Sequence, residues 1–407
     1  MTKLMIIMRI IILLLAFPIL LLAEKPASFE IPLPGSPFGV TSSRDSQWLF
    51  VSLPNGAAGP GIVVLRNQDG EIKVERTVPA SHSPAGLVLA GDGNTLIAAA
   101  GDAVVFFDTK RLENGLADAA FDWVSDGPRA GSIYVNVTAD DKTLFVSDEA
   151  RQGITVINLE RLRAHGRDAA ANRERFDKDG TRDAIVGVIP VGVAPIALTF
   201  SKDQQWLFTT SELAPEDWHW PATLDSEGGG TSQKVPEGAV VVINVAMART
   251  NPALSVVARV PSGGSPVRSA LSPDGNRLFV TARNGNNLLA FDTADLIQRP
   301  ARAKATRIRV GSSPVPVAVV SDGHYVVVGN SDRFNANAPR SSTLTVLDAT
   351  RIGSGQDPKL GEIRCGAFPR EFHASQDGKT LYLTNFRSGT LQVMDVARIK
   401  ELLTSRR

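Results

Sequence analysis

The chain repeats one phrase seven times, and this limits the possible folds more than its length of 407 residues does. Each copy opens on a lead residue, usually proline, and runs through an apolar-alternating stretch, an Asp-containing turn and an aromatic-rich run. Pro37 leads to Asp45 and residues 48–52, Pro84 to Asp92 and residues 96–97, and Ser132, standing where proline is expected, to Asp140 and residues 144–147. Pro195 leads to Asp203 and residues 206–209, and Pro266 to Asp274 and residues 278–281. Pro314 leads to Asp322 and residues 325–327, and Pro369 to Asp377 and residues 381–385.

Each copy reads as strand. Proline tolerates a strand start because it has no ladder donor to lose, and Asp-Gly favours a tight reversal. A third apolar run follows in every copy, beginning at Ile62, Val104, Ile154, Val240, Leu288, Leu344 and Leu391. In six copies Asp or Asn comes next: Asp108, Asn158, Asn244, Asp292, Asp348 and Asp395. A fourth strand, such as residues 72–78, then reaches the next lead residue. Four antiparallel strands repeated seven times predict an all-β, seven-bladed β-propeller. The last copy stops after its third strand, whereas residues 28–33 are strand-like and precede the first copy. They are expected to supply the missing outer strand and close the ring, which removes an exposed edge.

The rest of the sequence narrows the class. Residues 1–23 carry Lys3 and Arg9 and then an apolar run over 10–23, too short for the ~20 residues that span a bilayer. This is expected to be an export signal, leaving residues 24–407 as one propeller domain, periplasmic or secreted, with no transmembrane segment. Retention as an N-terminal anchor is the alternative. The formal net charge is +1 with both signs interspersed, which gives no basic stripe for nucleic acid. Cys365 is the sole cysteine, so neither an internal disulfide nor a paired-cysteine metal or haem site can form. It is expected to be buried.

The run Leu381-Tyr382-Leu383-Thr384-Asn385 resembles the YVTN-type propeller repeat, and residues 278–281 and 144–147 are looser versions. The resemblance spans the mature chain. It implies a fold similar to bacterial surface-layer and periplasmic propellers and, more distantly, to lactonase-type propellers. The latter carry a Pro-Arg-His run on an inner strand; Pro369-Arg370-Glu371 matches it in part, with Glu in place of His.

Candidate site residues come from breaks in the inner-strand pattern. Positions one, three and five after the lead residue are mostly apolar and positions two and four mostly small. Tyr134, Asn136, Arg268, Glu371 and His373 break the rule at positions two and four, and Arg370 adds a charge at position one. Polar groups there either line a central tunnel or are buried at a cost. They are candidate ligands for a small polar or anionic molecule, or else an inter-blade ion pair and a core histidine. Arg268, Glu371 and His373 are also the candidate catalytic set of a lactonase-like hydrolase. Trp218, His219 and Trp220 lie on an insertion over residues 211–238 and read as a lid, a protein-partner contact or a flap over their own blade. Residues 331–342 are a comparable loop in the sixth copy, expected to share one face with it. Asp177, Asp179, Gly180 and Asp183 echo a calcium loop without its full spacing and read as a solvated loop. No cofactor or metal site is implied. The expected function is a monomeric, exported, non-catalytic binding propeller, with hydrolysis at the axis as the alternative.

Overall fold

The computed structural model describes residues 25–68, 70–164, 184–220, 223–225, 233–235, 237–334 and 341–404. Residues 1–23, expected to direct export, and the calcium-like aspartates lie outside the described residues. Seven four-stranded antiparallel sheets form, one per sequence copy. Blade one, for example, runs Val40–Ser42, Trp48–Leu53, Gly61–Gln68 and Glu71–Pro79. Blade seven takes Pro369–Ala374, Thr380–Asn385 and Thr390–Asp395 from the C-terminal part and its outer strand, Ser28–Pro32, from the N-terminal part. Ser28 pairs with Met394 and Pro32 with Thr390. The ring closes as expected.

Each repeated feature has a local cause. A Ser or Thr two residues before the turn Asp donates its hydroxyl to that carboxylate: Ser43 to Asp45 at 2.5 Å, Thr138 to Asp140 at 2.6 Å, Ser375 to Asp377 at 2.7 Å. The carboxylate then accepts the backbone N–H two residues on, as from Gln47, Lys142 and Lys379. This is an Asx-type turn. The residue after it or next to it is left-handed, supplied by Gly93, Gly275, Gly323 and Gly378 in four blades and by Ser46, Asp141 and Gln204 in the others. In six blades the Asp or Asn ending the third strand is a helix N-cap: Asp108 accepts from the Arg111 N–H, Asn244 from Met247 and Asp395 from Ala397.

Packing is mostly between blades, with one small cluster, Ile196, Val267, Val315 and Phe368, gathering residues of four blades. Seven apolar clusters each join two neighbouring blades, and the one that closes the ring sets Tyr382, Leu391 and Val393 of blade seven against Val40, Leu49 and Val51 of blade one. Hydroxyls on the second strands act as spokes. Ser52 donates to Ala85 O, Ser147 to Ile196 O, Thr210 to Val267 O, Thr281 to Val315 O and Thr384 to Phe38 O. Each satisfies a backbone carbonyl of the next blade's inner strand, which would otherwise be buried without a partner. Thr384, the Thr of the YVTN-like run, makes this bond across the closure.

Two expectations change. Residues 211–238 are not all loop: the second strand of blade four continues to Leu213, Glu216–Trp218 is a 3-10 turn, and Thr223–Asp225 pairs with Gln233–Val235. Strict alternation on the inner strands also fails. The register shifts just after the lead residue in blades three to seven. Such bulges let consecutive side chains reach the same side.

Blade three holds a buried carboxyl pair, Asp126 and Asp148, 1% and 0% exposed. Ser132 donates to Asp126 and Thr155 to Asp148, leaving one oxygen of each with no hydrogen-bond partner. A single proton between them satisfies both. Burial raises Asp126, and burial with the Asp126 charge pushes Asp148 up to about 8. The folded state therefore holds a proton that the unfolded chain releases near the usual carboxylate value. That stability is present below pH ~4 and is lost as pH rises toward 8. Asp148→Asn should flatten this loss and raise stability at pH 8, read from denaturation midpoints between pH 5 and 8. A pH profile parallel to that of the unaltered chain would contradict the shared proton.

Candidate functional site

The polar residues at position two meet at the axis. Tyr134 of blade three, Arg268 of blade five and Glu371 of blade seven come from alternate blades. The intervening copies carry Gly39, Gly86, Ala197 and Pro316 at the same position, which leaves room for them. A Cβ on Gly86 would stand 2.6 Å from Tyr134 Cδ2. Tyr134 donates its hydroxyl to Glu371 Oε1 at 2.7 Å, and Arg268 Nη2 lies 3.0 Å from Glu371 Oε2. The Arg268 guanidinium rests 4.3 Å from the centre of the Tyr134 ring. Backbone N–H groups of Arg268 and Glu371 donate to the spoke hydroxyls of Thr281 and Thr384, which fixes both strands.

This trio is an ion pair without full hydrogen bonding. Arg268 Nε, Nη1 and Nη2 and Glu371 Oε2 are all buried and have no aligned hydrogen-bond partner. Burial and the Glu371 carboxylate push the Tyr134 phenol well above its ordinary range, so it stays protonated and donates.

The trio divides two cavities. On the face carrying the Asp turns, about 570 Å3 is lined by Thr41, Ser42, Tyr134, Asn136, Glu371 and His373, with Arg44 and Gln376 also on its wall. On the face carrying the lead residues, about 430 Å3 is lined by Phe38, Ile133, Arg333, Phe368, Arg370 and Phe386. Arg370 and Glu371 are adjacent in sequence yet serve opposite cavities, as the bulge between Pro369 and Glu371 allows.

In the turn-face cavity, His373 Nε2 accepts the Ser42 backbone N–H at 3.1 Å and lies 2.9 Å from Ser42 Oγ. Accepting at Nε2 assigns the ring proton to Nδ1. Burial holds the imidazole down to about 4, so it is neutral at ordinary pH. Asn136 donates to Leu198 O at 2.8 Å and accepts from Val137, tying blade three to blade four as well as facing the cavity.

The structure thus brings together Tyr134, Asn136, Arg268, Glu371 and His373, sends Arg370 to the opposite mouth, and leaves the tryptophan insertion elsewhere. Trp218 and Trp220 pack edge-to-face at 5.1 Å against the cluster between blades three and four, and Arg259 covers Trp218 at 4.8 Å. His219 is exposed in a left-handed turn. The two tryptophans cover the seam between blades three and four rather than the axis, and His219 faces solvent. Among the described residues no three His, Cys, Asp or Glu side chains gather as a metal site.

Sequence reasoning missed Ser42, at the end of the inner strand of blade one, and Arg44 and Gln376, which reach the cavity from turns. It also missed Phe368, although that one had a signal. Other copies have Gly131, Ala194, Ser265 or Ser313 just before the lead residue.

No family model matches the chain, and no curated protein matches it. Solved structures do. A chain of Kuenenia stuttgartiensis hydrazine synthase superposes with TM-score 0.64 at 18% identity, over 91% of this chain and 97% of that one. The chain is a seven-bladed β-propeller. The β-propeller domain of Myceliophteria thermophila Cps50 (Swd1) gives TM-score 0.58 at 13% identity, over 90% of this chain and 98% of that domain. Such identities carry the fold and no activity. No helix among the described residues is long and apolar enough to cross a membrane.

Proposed function

We propose that this chain is an exported propeller of the YVTN type that binds a small, uncharged polar ligand in its turn-face cavity without transforming it. The observation that carries the reading is the convergence of Tyr134, Asn136, Glu371 and His373 on one axial cavity of about 570 Å3. That volume suits a small ligand. The Glu371 charge is compensated by Arg268 and His373 is neutral, which leaves Arg44 as the one other charged side chain on its wall. The walls therefore offer hydrogen bonds more than a field, which favours hydroxyl-bearing molecules over ions. Export is supported by the basic start and apolar run of residues 1–23, and the repeat type by the YVTN-like run and the role of Thr384.

Calorimetric titration with a panel of sugars and polyols should give saturable binding. Gln376→Leu, at an exposed turn, and Asn136→Leu should each weaken it about tenfold, the equivalent of roughly 1.4 kcal/mol. No saturable member, or affinities untouched by both substitutions, would refute the site. Residues 1–23 fused to a reporter active only outside the cytoplasm should give activity, and a reporter retained inside would refute export.

One observation favours hydrolysis as a second reading. Ser42 Oγ, 2.9 Å from His373 Nε2, has the spacing of a nucleophile and its base. Against it, the same nitrogen already accepts a backbone N–H, and Arg268 and Glu371 engage each other.

A further inference from the structure

The cavity on the lead-residue face collects positive charge around one aromatic ring. The guanidinium carbons of Arg333, Arg370 and Arg387 lie 5.4, 5.7 and 5.5 Å from the centre of Phe368. Arg370 also lies 4.1 Å from the Phe38 ring, and Phe386 packs edge-to-face on Phe368 at 5.6 Å. Arg387 donates to the Arg333 carbonyl at 3.2 Å, which holds two of the cations together.

Among the described residues these charges are only partly offset: Glu149 and Glu212 act on Arg333, and Glu371 and Glu149 on Arg370, without an ion-pair contact. Arg283, next in the same cluster, is paired with Glu212 at 2.5 Å, but none of Arg333, Arg370 or Arg387 has an ion-pair partner among the described residues. Among the described residues Glu149 is the one carboxylate lining the cavity, against the guanidiniums of Arg333 and Arg370, with Arg387 beside Phe368. Arg370 Nε is buried with no hydrogen bond. Burial, with Arg268 and Arg333 nearby, pulls Arg370 down to about 9, the response expected of a cation held among cations.

The ring at the centre is held in a strained backbone. Phe368 has φ +57° directly before Pro369, a conformation costly for a bulky residue and disfavoured before proline. Blades three to six adopt it at the same place with Gly131, Ala194, Ser265 and Ser313. Strain retained at a large side chain is a mark of a functional position.

We propose that this cavity binds an organic anion, its carboxylate or phosphate held by Arg333, Arg370 and Arg387 and its apolar body seated on Phe38, Phe368 and Phe386. Guanidinium forks match oxyanions in plane, and the aromatic walls account for an apolar body that inorganic ions lack. The site is separate from the turn-face cavity and does not depend on the reading given to it.

Calorimetry on the full mature chain, with phenyl phosphate, benzoate and inorganic phosphate as probes, tests this. Phenyl phosphate should bind saturably and at least tenfold more tightly than inorganic phosphate. Benzoate tightening in parallel would identify the carboxylate as the preferred head group, and phenyl phosphate binding alone would identify the phosphate. Arg387→Gln, on an exposed turn, should weaken phenyl phosphate about tenfold, and Arg370→Gln more. Equal affinity for phenyl and inorganic phosphate, no saturable binding of either aromatic probe, or unchanged affinity in both variants would overturn the proposal.

Discussion

Glu371→Ala is expected to cost about 3–5 kcal/mol in equilibrium denaturation, among the largest effects of any single side chain in this ring. The substitution leaves Arg268, 4% exposed, with no opposite charge and takes the acceptor from the Tyr134 hydroxyl. An exposed pair at the same distance would be worth ~1 kcal/mol or less. Removing both charges together, as Arg268→Met with Glu371→Leu, should recover most of the loss, because the cost lies in the unmatched charge rather than in the pair. Additive losses in this cycle would mean that Arg268 is solvated from a cavity and not held by Glu371.

Deleting residues 28–33 is expected to be comparably damaging. Five residue pairs with Thr390–Asp395 are lost, together with the burial of Phe29, Ile31 and Leu33 against the closing cluster. Half-buried side chains and released ladder bonds together suggest a loss on the order of 3–5 kcal/mol. The strand Thr390–Asp395 would also become a bare edge able to pair with another chain. Lower denaturation midpoints should therefore come with association that increases with concentration, seen in sedimentation. A deletion that remains monomeric with an unchanged midpoint would show that these residues do not hold the ring.

The ring was legible in the sequence because each blade is specified locally. A Ser or Thr, a turn Asp two residues later and a capping Asp or Asn recur at fixed places, and each makes its bond within a few residues. Thr384 and its equivalents reach only to the next blade. The axial trio was legible for a related reason: Tyr134, Arg268 and Glu371 interrupt a position that is small in the other copies, and a ring brings equal positions to one axis. The division of the axis into two cavities was not legible. It follows from bulges that break the two-residue alternation, so Arg370 and Glu371 part company despite adjacency. Arg333 and Arg387 sit in turns between second and third strands, where no periodicity aims a side chain. Trp218 and Trp220 read equally well as lid or flap because only packing against the cluster between blades three and four, whose members are distant in sequence, decides between them.

The central claim is that the turn-face cavity holds its ligand unchanged. Incubating the full chain with a panel of lactones and hydroxylated compounds, and following ligand recovery by proton NMR while binding is measured in parallel, tests it most directly. The account predicts saturable binding to at least one hydroxylated compound, with every compound recovered intact at the rate of the protein-free control. Lactone turnover that is lost in both Ser42→Ala and His373→Gln would contradict it and make the Ser42–His373 pair the reacting centre.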